Sequence, residues 1–239
     1  MGLTIHYQLS TDRTEIEEIR SLVNNIRQLA LTLPFQEVGD IIEFKDDECQ
    51  YDDRDDAHRW LKIQSGKYIQ QGEQHLHVLP LHVIAFTAVS GEGSEPTNLG
   101  LALYPKTVQI ERHGRKQMVR TNLHGWSWGS FTKTQYASNP ECGGVANFVR
   151  CHLAIVHLLD AIQKRQLAKV EVSDEGDYWD HRDARKLAET IGEWNEMIAA
   201  VAGQFKDAGK WAIEAPITQF PNFEHLEAKG QDKLDKPSS

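Results

Sequence analysis

The chain has 239 residues, 40% of them hydrophobic and 26% charged, with a formal net charge of −9. That length can bury a sizeable core, and the balance is that of a globular protein, which excludes global disorder. The negative charge argues against sequence-independent binding to nucleic acid or to an anionic membrane, so neither is expected as a partner, although Arg112, His113, Arg115, Lys116 and Arg120 form one dense basic stretch.

Leu3, Ile5, Tyr7 and Leu9 alternate with Thr4, His6 and Gln8, the period of a strand exposed on one face. Thr14 and Glu17 have the spacing of a capping box, and Ile16, Ile19, Val23, Ile26 and Leu29 then repeat at helical intervals until Pro34. Val38 to Phe44 reads as a strand. It leads into DDECQYDDRDDAH, whose carboxylates would suit a hard cation but lack the glycine and terminal glutamate of an EF-hand; a solvated acidic loop over 46–56 is expected. Trp60 to Ile63 is expected as a short strand. His75 to Val89 reads as one largely buried strand, and Leu99 to Tyr104 as its return after the turn chemistry of SGEGSEPTN. GEG there lacks the third glycine and following helix of a phosphate loop.

Val108 to Arg112 and Met118 to Thr121 flank HGRKQ, a hairpin tip. After His124, Trp126 and Trp128 share a strand face by period two, an arrangement that can stack a ligand but more commonly packs a core. Lys133, Gln135 and Tyr136 continue the polar surface of that segment. Asn139 and Pro140 suit an N-cap and a first helical position, placing Cys142 close to a helix N-terminus, where free amides and the dipole favour a thiolate. Gly143 and Gly144 would let a substrate approach and present their amides as an oxyanion site. The following helix sets Val145, Phe148, Val149, His152, Ile155, Val156 and Leu159 on one apolar stripe, with Asn147 on a small-residue edge and Arg150, His157 and Lys164 opposite. His152 therefore needs buried hydrogen-bond partners, as a structural histidine or as a base.

Val170 and Val172 continue as a strand into SDEGDYWDHRD, a second acidic cluster over 174–183 in which Asp180 or Asp183 caps the next helix. That helix is the clearest, with Leu187, Ile191, Trp194, Ile198, Val201 and Phe205 stepping by four and three. Trp211 to Ile217 reads as a late strand, and 230–239 as a disordered tail.

The three cysteines, Cys49, Cys142 and Cys151, are too few for a disulfide framework. The N-terminal MGLTIHYQLS lacks a basic region followed by an apolar run, so no signal peptide is expected, and a cytoplasmic location is. Together these readings predict one α+β or α/β domain over 1–229. It has a mixed, largely antiparallel sheet packed by three main helices near 14–32, 144–166 and 183–207.

The blocks GLTIHY, KTQYASNPECGGVANFVRCHL, VSDEGDYW, EWNEMIA and FPNFEHLEAKG resemble those of an uncharacterised bacterial protein family across nearly the whole chain. That resemblance implies no activity, ligand or catalytic residue. Gln135 upstream of a helix-initial Cys142 is thinly similar to papain-like peptidases, but a helix stands where their β-rich half presents the histidine.

Three functions follow as expectations. In a cysteine-dependent hydrolase or transferase acting on a small or peptide-like substrate, Cys142 is the nucleophile, His152 or His124 the base, and Asp174 or Asp180 its orienting group, with Trp126, Trp128, Lys133, Gln135, Tyr136 and Asn147 contacting substrate and no cofactor required. A direct Cys142–His152 pair would have to bridge about 15 Å of helix unless the turn folds back. The alternatives are a non-catalytic binding module with an aromatic-lined pocket, and a zinc protein with ligands from Cys142, Cys151, His152, His124 and His181.

Overall fold

The computed structural model describes residues 3–72, 74–112, 114–207 and 216–234. β1 (Thr4–Thr11) follows the expected alternation from Ile5 onward, with Ile5, Tyr7 and Leu9 buried and His6 and Gln8 exposed, whereas Thr4, expected on the exposed face, is buried. α1 (Ile16–Leu31) buries Ile19, Leu22, Val23, Ile26, Leu29 and Ala30, each of the Ile, Leu and Val side chains contributing roughly 1.5–3 kcal/mol. The capping box does not form: Glu15 is the N-cap without a side-chain bond, and Glu17 pairs with Arg20 instead.

The expected strand over 38–44 is two pieces, β2 (Glu37–Val38) and β3 (Ile42–Lys45), split over residues 39–41. Residues 60–63 are helical, within α2 (Arg59–Ser65), correcting the short strand. The buried positions there are Leu61 and Ser65, four apart and so one turn of a helix rather than alternating. The run 75–89 is also two strands, because Pro80 has no amide for a ladder. β4 (Lys67–Gln71) and β5 (Gln74–Val78) form a hairpin of their own, and β6 (His82–Val89) begins after the proline. β7 (Thr97–Leu103) returns beside β6; β8 (Thr107–Arg112) and β9 (Arg115–Arg120) form a second hairpin with a tighter tip than expected.

β10 (Trp126–Lys133) passes through two 3-10 turns, Gln135–Ser138 and Pro140–Cys142, into α3 (Gly144–Lys164). β11 (Lys169–Asp174), α4 (Tyr178–His181), α5 (Ala184–Asp207) and α6 (Phe223–Leu234) complete the chain. Residues 230–234, expected in a disordered tail, are the last turn of α6, while most of the expected strand 211–217 lies outside the described residues.

The main sheet runs β11-β1-β10-β7-β6-β2, with β3 also on β6, and each of its pairings is antiparallel. α1 packs on β6 and β7, α3 against β11 and α1, α5 against α3, and α6 against α5. This is a single mixed α+β domain. α3 is long and apolar enough to cross a membrane by composition alone, but here it is a core helix with Phe148, Cys151, His152, Ile155 and Leu159 fully buried.

Candidate functional site

Thr134, His152 and Asp174 come from three separate elements and meet in the core. The Asp174 carboxylate accepts from His152 Nε2 at 3.1 Å, and Nδ1 of the same ring shares a hydrogen bond with the Thr134 hydroxyl at 3.0 Å. Asp174 also accepts from the amides of Gly176 (2.8 Å) and Trp179 (2.9 Å). Burial alone would raise the Asp174 carboxyl, but the His152 bond and charge, with the two amides, outweigh it and hold it below the usual carboxylate value. Both side chains are wholly out of contact with water, and Phe148 and Tyr178 face the imidazole at 5.6 and 6.4 Å. Gly176 closes the last gap: a Cβ there would lie 3.2 Å from His152 Cε1 and 2.6 Å from a Leu187 methyl. The hydroxyl–imidazole–carboxylate chain thus joins strand, helix and loop ends in the buried interior.

The thiol turn lies apart from this network. Asn139 caps the second 3-10 turn as expected, its side chain accepting from the Glu141 amide at 3.1 Å. Gly143, with φ of 103°, breaks the chain direction before α3 begins. The amides proposed for an oxyanion are already spent: Gly143 donates to the Pro140 carbonyl (3.1 Å) and Gly144 to that of Asn139 (2.9 Å). Nor is Cys142 activated. Partial burial and then the charges of Glu92, Glu141 and Cys151 push its thiol up, the reverse of what a nucleophile needs. Asn147 is occupied as well, donating to the carbonyls of Glu92 and Ala137 and accepting from Arg150 at 2.7 Å.

His124 is exposed at the opposite end of β10 from Cys142, separated by an extended strand of roughly 24 Å. Trp126 and Trp128 are 4% and 0% exposed, and the Trp128 indole donates to the Asn98 carbonyl at 2.8 Å, so both are core residues rather than a stacking platform. Among the described residues no three of His, Cys, Asp and Glu gather in a way that could hold a metal ion, so the ligand set considered for zinc is dispersed. In the second acidic cluster Asp183 caps α5 through the amides of Arg185 and Lys186.

Lys133, Gln135 and Tyr136 do come together. With Thr4, His6, Phe131 and Glu175 they line an open cleft of about 360 Å³ on the outer surface of the sheet. His6 and Phe131, opposite each other on β1 and β10 with rings 5.8 Å apart, also belong to a second cleft of about 460 Å³ that continues across Gln8, Gly129 and Glu171. The Glu175 carboxylate accepts from the Thr4 amide at 2.9 Å, which holds that carboxylate at the rim. Sequence reasoning missed His6, Phe131 and Glu175. The signal for His6 was its place at an exposed position of the β1 alternation, and the signal for Phe131 was a bulky apolar residue out of phase with Trp126 and Trp128. No family model, curated protein or solved structure matches this chain.

Proposed function

We propose that this chain is a non-catalytic binding module that receives a small zwitterionic, peptide-like ligand in the cleft between β1, β10 and the Glu175 bend. The observation that carries the reading is the convergence of an ammonium (Lys133), a carboxylate (Glu175) and aromatic surface (His6, Phe131, Tyr136) around one open space. Opposite charges at separate points recognise the two ends of an amino acid or short peptide, and the rings cover its side chain. The cysteine-hydrolase reading has less support, because the thiol is raised, the turn amides are occupied and the buried imidazole faces Asp174 and Thr134. Three unpaired thiols favour a reducing, cytoplasmic setting.

Thermal-shift and calorimetric titration with free amino acids and dipeptides, on the full chain and on Cys142→Ala and Lys133→Ala, tests this. The expected result is stabilisation by a zwitterion that survives Cys142→Ala and is lost in Lys133→Ala. Turnover of a peptide-like substrate that disappears in Cys142→Ala would overturn it, as would indifference to every zwitterion.

A further inference from the structure

The two ends of the main sheet are built differently. At one end β2 and β3 have two and four residues and are interrupted over residues 39–41, so that edge is short and broken. At the other, β11 offers six residues in unbroken register with β1, its only strand partner among the described residues. A long regular edge with free amides and carbonyls is a template for another strand.

The hydrogen-bond phase of that edge can be read directly. The Glu175 amide donates to the Thr4 carbonyl at 3.1 Å, so residues 175, 173, 171 and 169 turn their backbone groups toward β1. Val170 and Val172 turn theirs outward, and among the described residues those groups have no partner. The exposed charges on the strand are Lys169 and Glu171, 71% and 57% exposed in their side chains and joined to each other at 2.6 Å.

These features allow a charge-matched register for a second copy of the same strand running antiparallel. If Val170 lies opposite Val170, the outward groups of both copies bond. Each Lys169 then sits opposite Glu171 of the other copy in the close, non-hydrogen-bonded position, twice by symmetry. Sliding the strands by two residues would set Glu171 against Glu171, where like charges repel. The strand is therefore self-complementary in charge, in phase and under a two-fold axis, as an isologous interface requires. We propose that the protein forms a two-fold dimer through β11, joining the two sheets edge to edge. Because Glu171 and Val172 also line the larger cleft, the second copy extends its outer wall.

Sedimentation velocity of the full chain over a wide concentration range tests this, comparing Glu171→Lys, Lys169→Glu and the double exchange of both. Dimerisation is expected in the unmodified chain, weakened roughly tenfold or more by either single reversal and restored by the exchange, which rebuilds the same cross-strand pairs. Val172→Pro, which removes only an outward amide and leaves the bonds to β1 intact, is expected to give a monomer. A chain that is monomeric throughout, or a dimer indifferent to the single reversals, overturns the proposal.

Discussion

Lys133 and Thr134 are neighbours in the chain and end in opposite environments. Lys133 lines the open cleft on the outer surface of the sheet, whereas the Thr134 hydroxyl is buried against His152. The same contrast separates the two polar groupings as wholes. One is a closed chain in which every member has its partner; the other is an assembly of charged and aromatic side chains around open space. A buried polar network that is fully satisfied fixes the packing of the elements that supply it. Charged groups left at a cleft do little for the fold and remain available to a ligand. The histidine and aspartate that the sequence offers as base and orienting group are thus paired inside the core, whereas Lys133 of β10 and Tyr136 of its turn line the open cleft.

The sharpest way to break that contrast is to remove the imidazole. His152→Ala leaves the Asp174 carboxylate buried with its main partner gone, and removing the partner of a buried carboxylate costs about 3–5 kcal/mol. Urea unfolding followed by far-UV dichroism should show a loss in that range. A loss below about 1 kcal/mol would mean that water reaches the site. Gly176→Ala comes next, with an expected cost of about 1–3 kcal/mol from overpacking against Leu187.

Acid should separate the two regions in a graded way. The Asp174 carboxyl is held below its usual value in the folded chain. It therefore contributes stability that is fully present above the unfolded carboxylate value near 4 and is lost as pH falls through the folded value. In Asp174→Asn the stability below about pH 4 should fall less steeply than in the unmodified chain, although the variant is weaker at neutral pH. Unfolding midpoints measured across that acid range give the slopes directly.

Much of the fold was legible in the residues because it rests on periodicity. The alternation of β1 and the stripes of α1, α3 and α5 are present, with Leu187 and Ile191 of α5 and Phe148, His152, Ile155, Val156 and Leu159 of α3 buried, whereas Val145 at the start of α3 and Val201 late in α5 are exposed. The misread segments are those where a local break decides: Pro80 dividing an apolar run, Gly39 dividing β3 from β2, and the short apolar run in α2 whose period is too brief to show. For the site, the sequence placed His152 in the core and grouped Lys133 with Gln135 and Tyr136. It could not place Asp174 on the imidazole, because that contact spans 22 residues and depends on how β11 aligns with β1. Nor could it show that the amides of Gly143 and Gly144 are consumed within their own turn.

The smallest expected effects on stability belong to the half-buried Lys133 and Cys142, and they separate the cleft from the thiol turn. Lys133→Ala and Cys142→Ser should each change stability by no more than about 0.5 kcal/mol, since neither leaves a buried group unpaired. Their other consequences differ. The Lys133 substitution should abolish stabilisation by zwitterions, leaving the unliganded melting temperature unchanged. Cys142 should react with iodoacetamide only as pH rises past the ordinary thiol range, because burial and the carboxylates of Glu92 and Glu141 disfavour its thiolate. Rapid alkylation at neutral pH would instead identify a thiolate stabilised by the first turn of α3, and would return the turn, rather than the cleft, to the centre of this protein's chemistry.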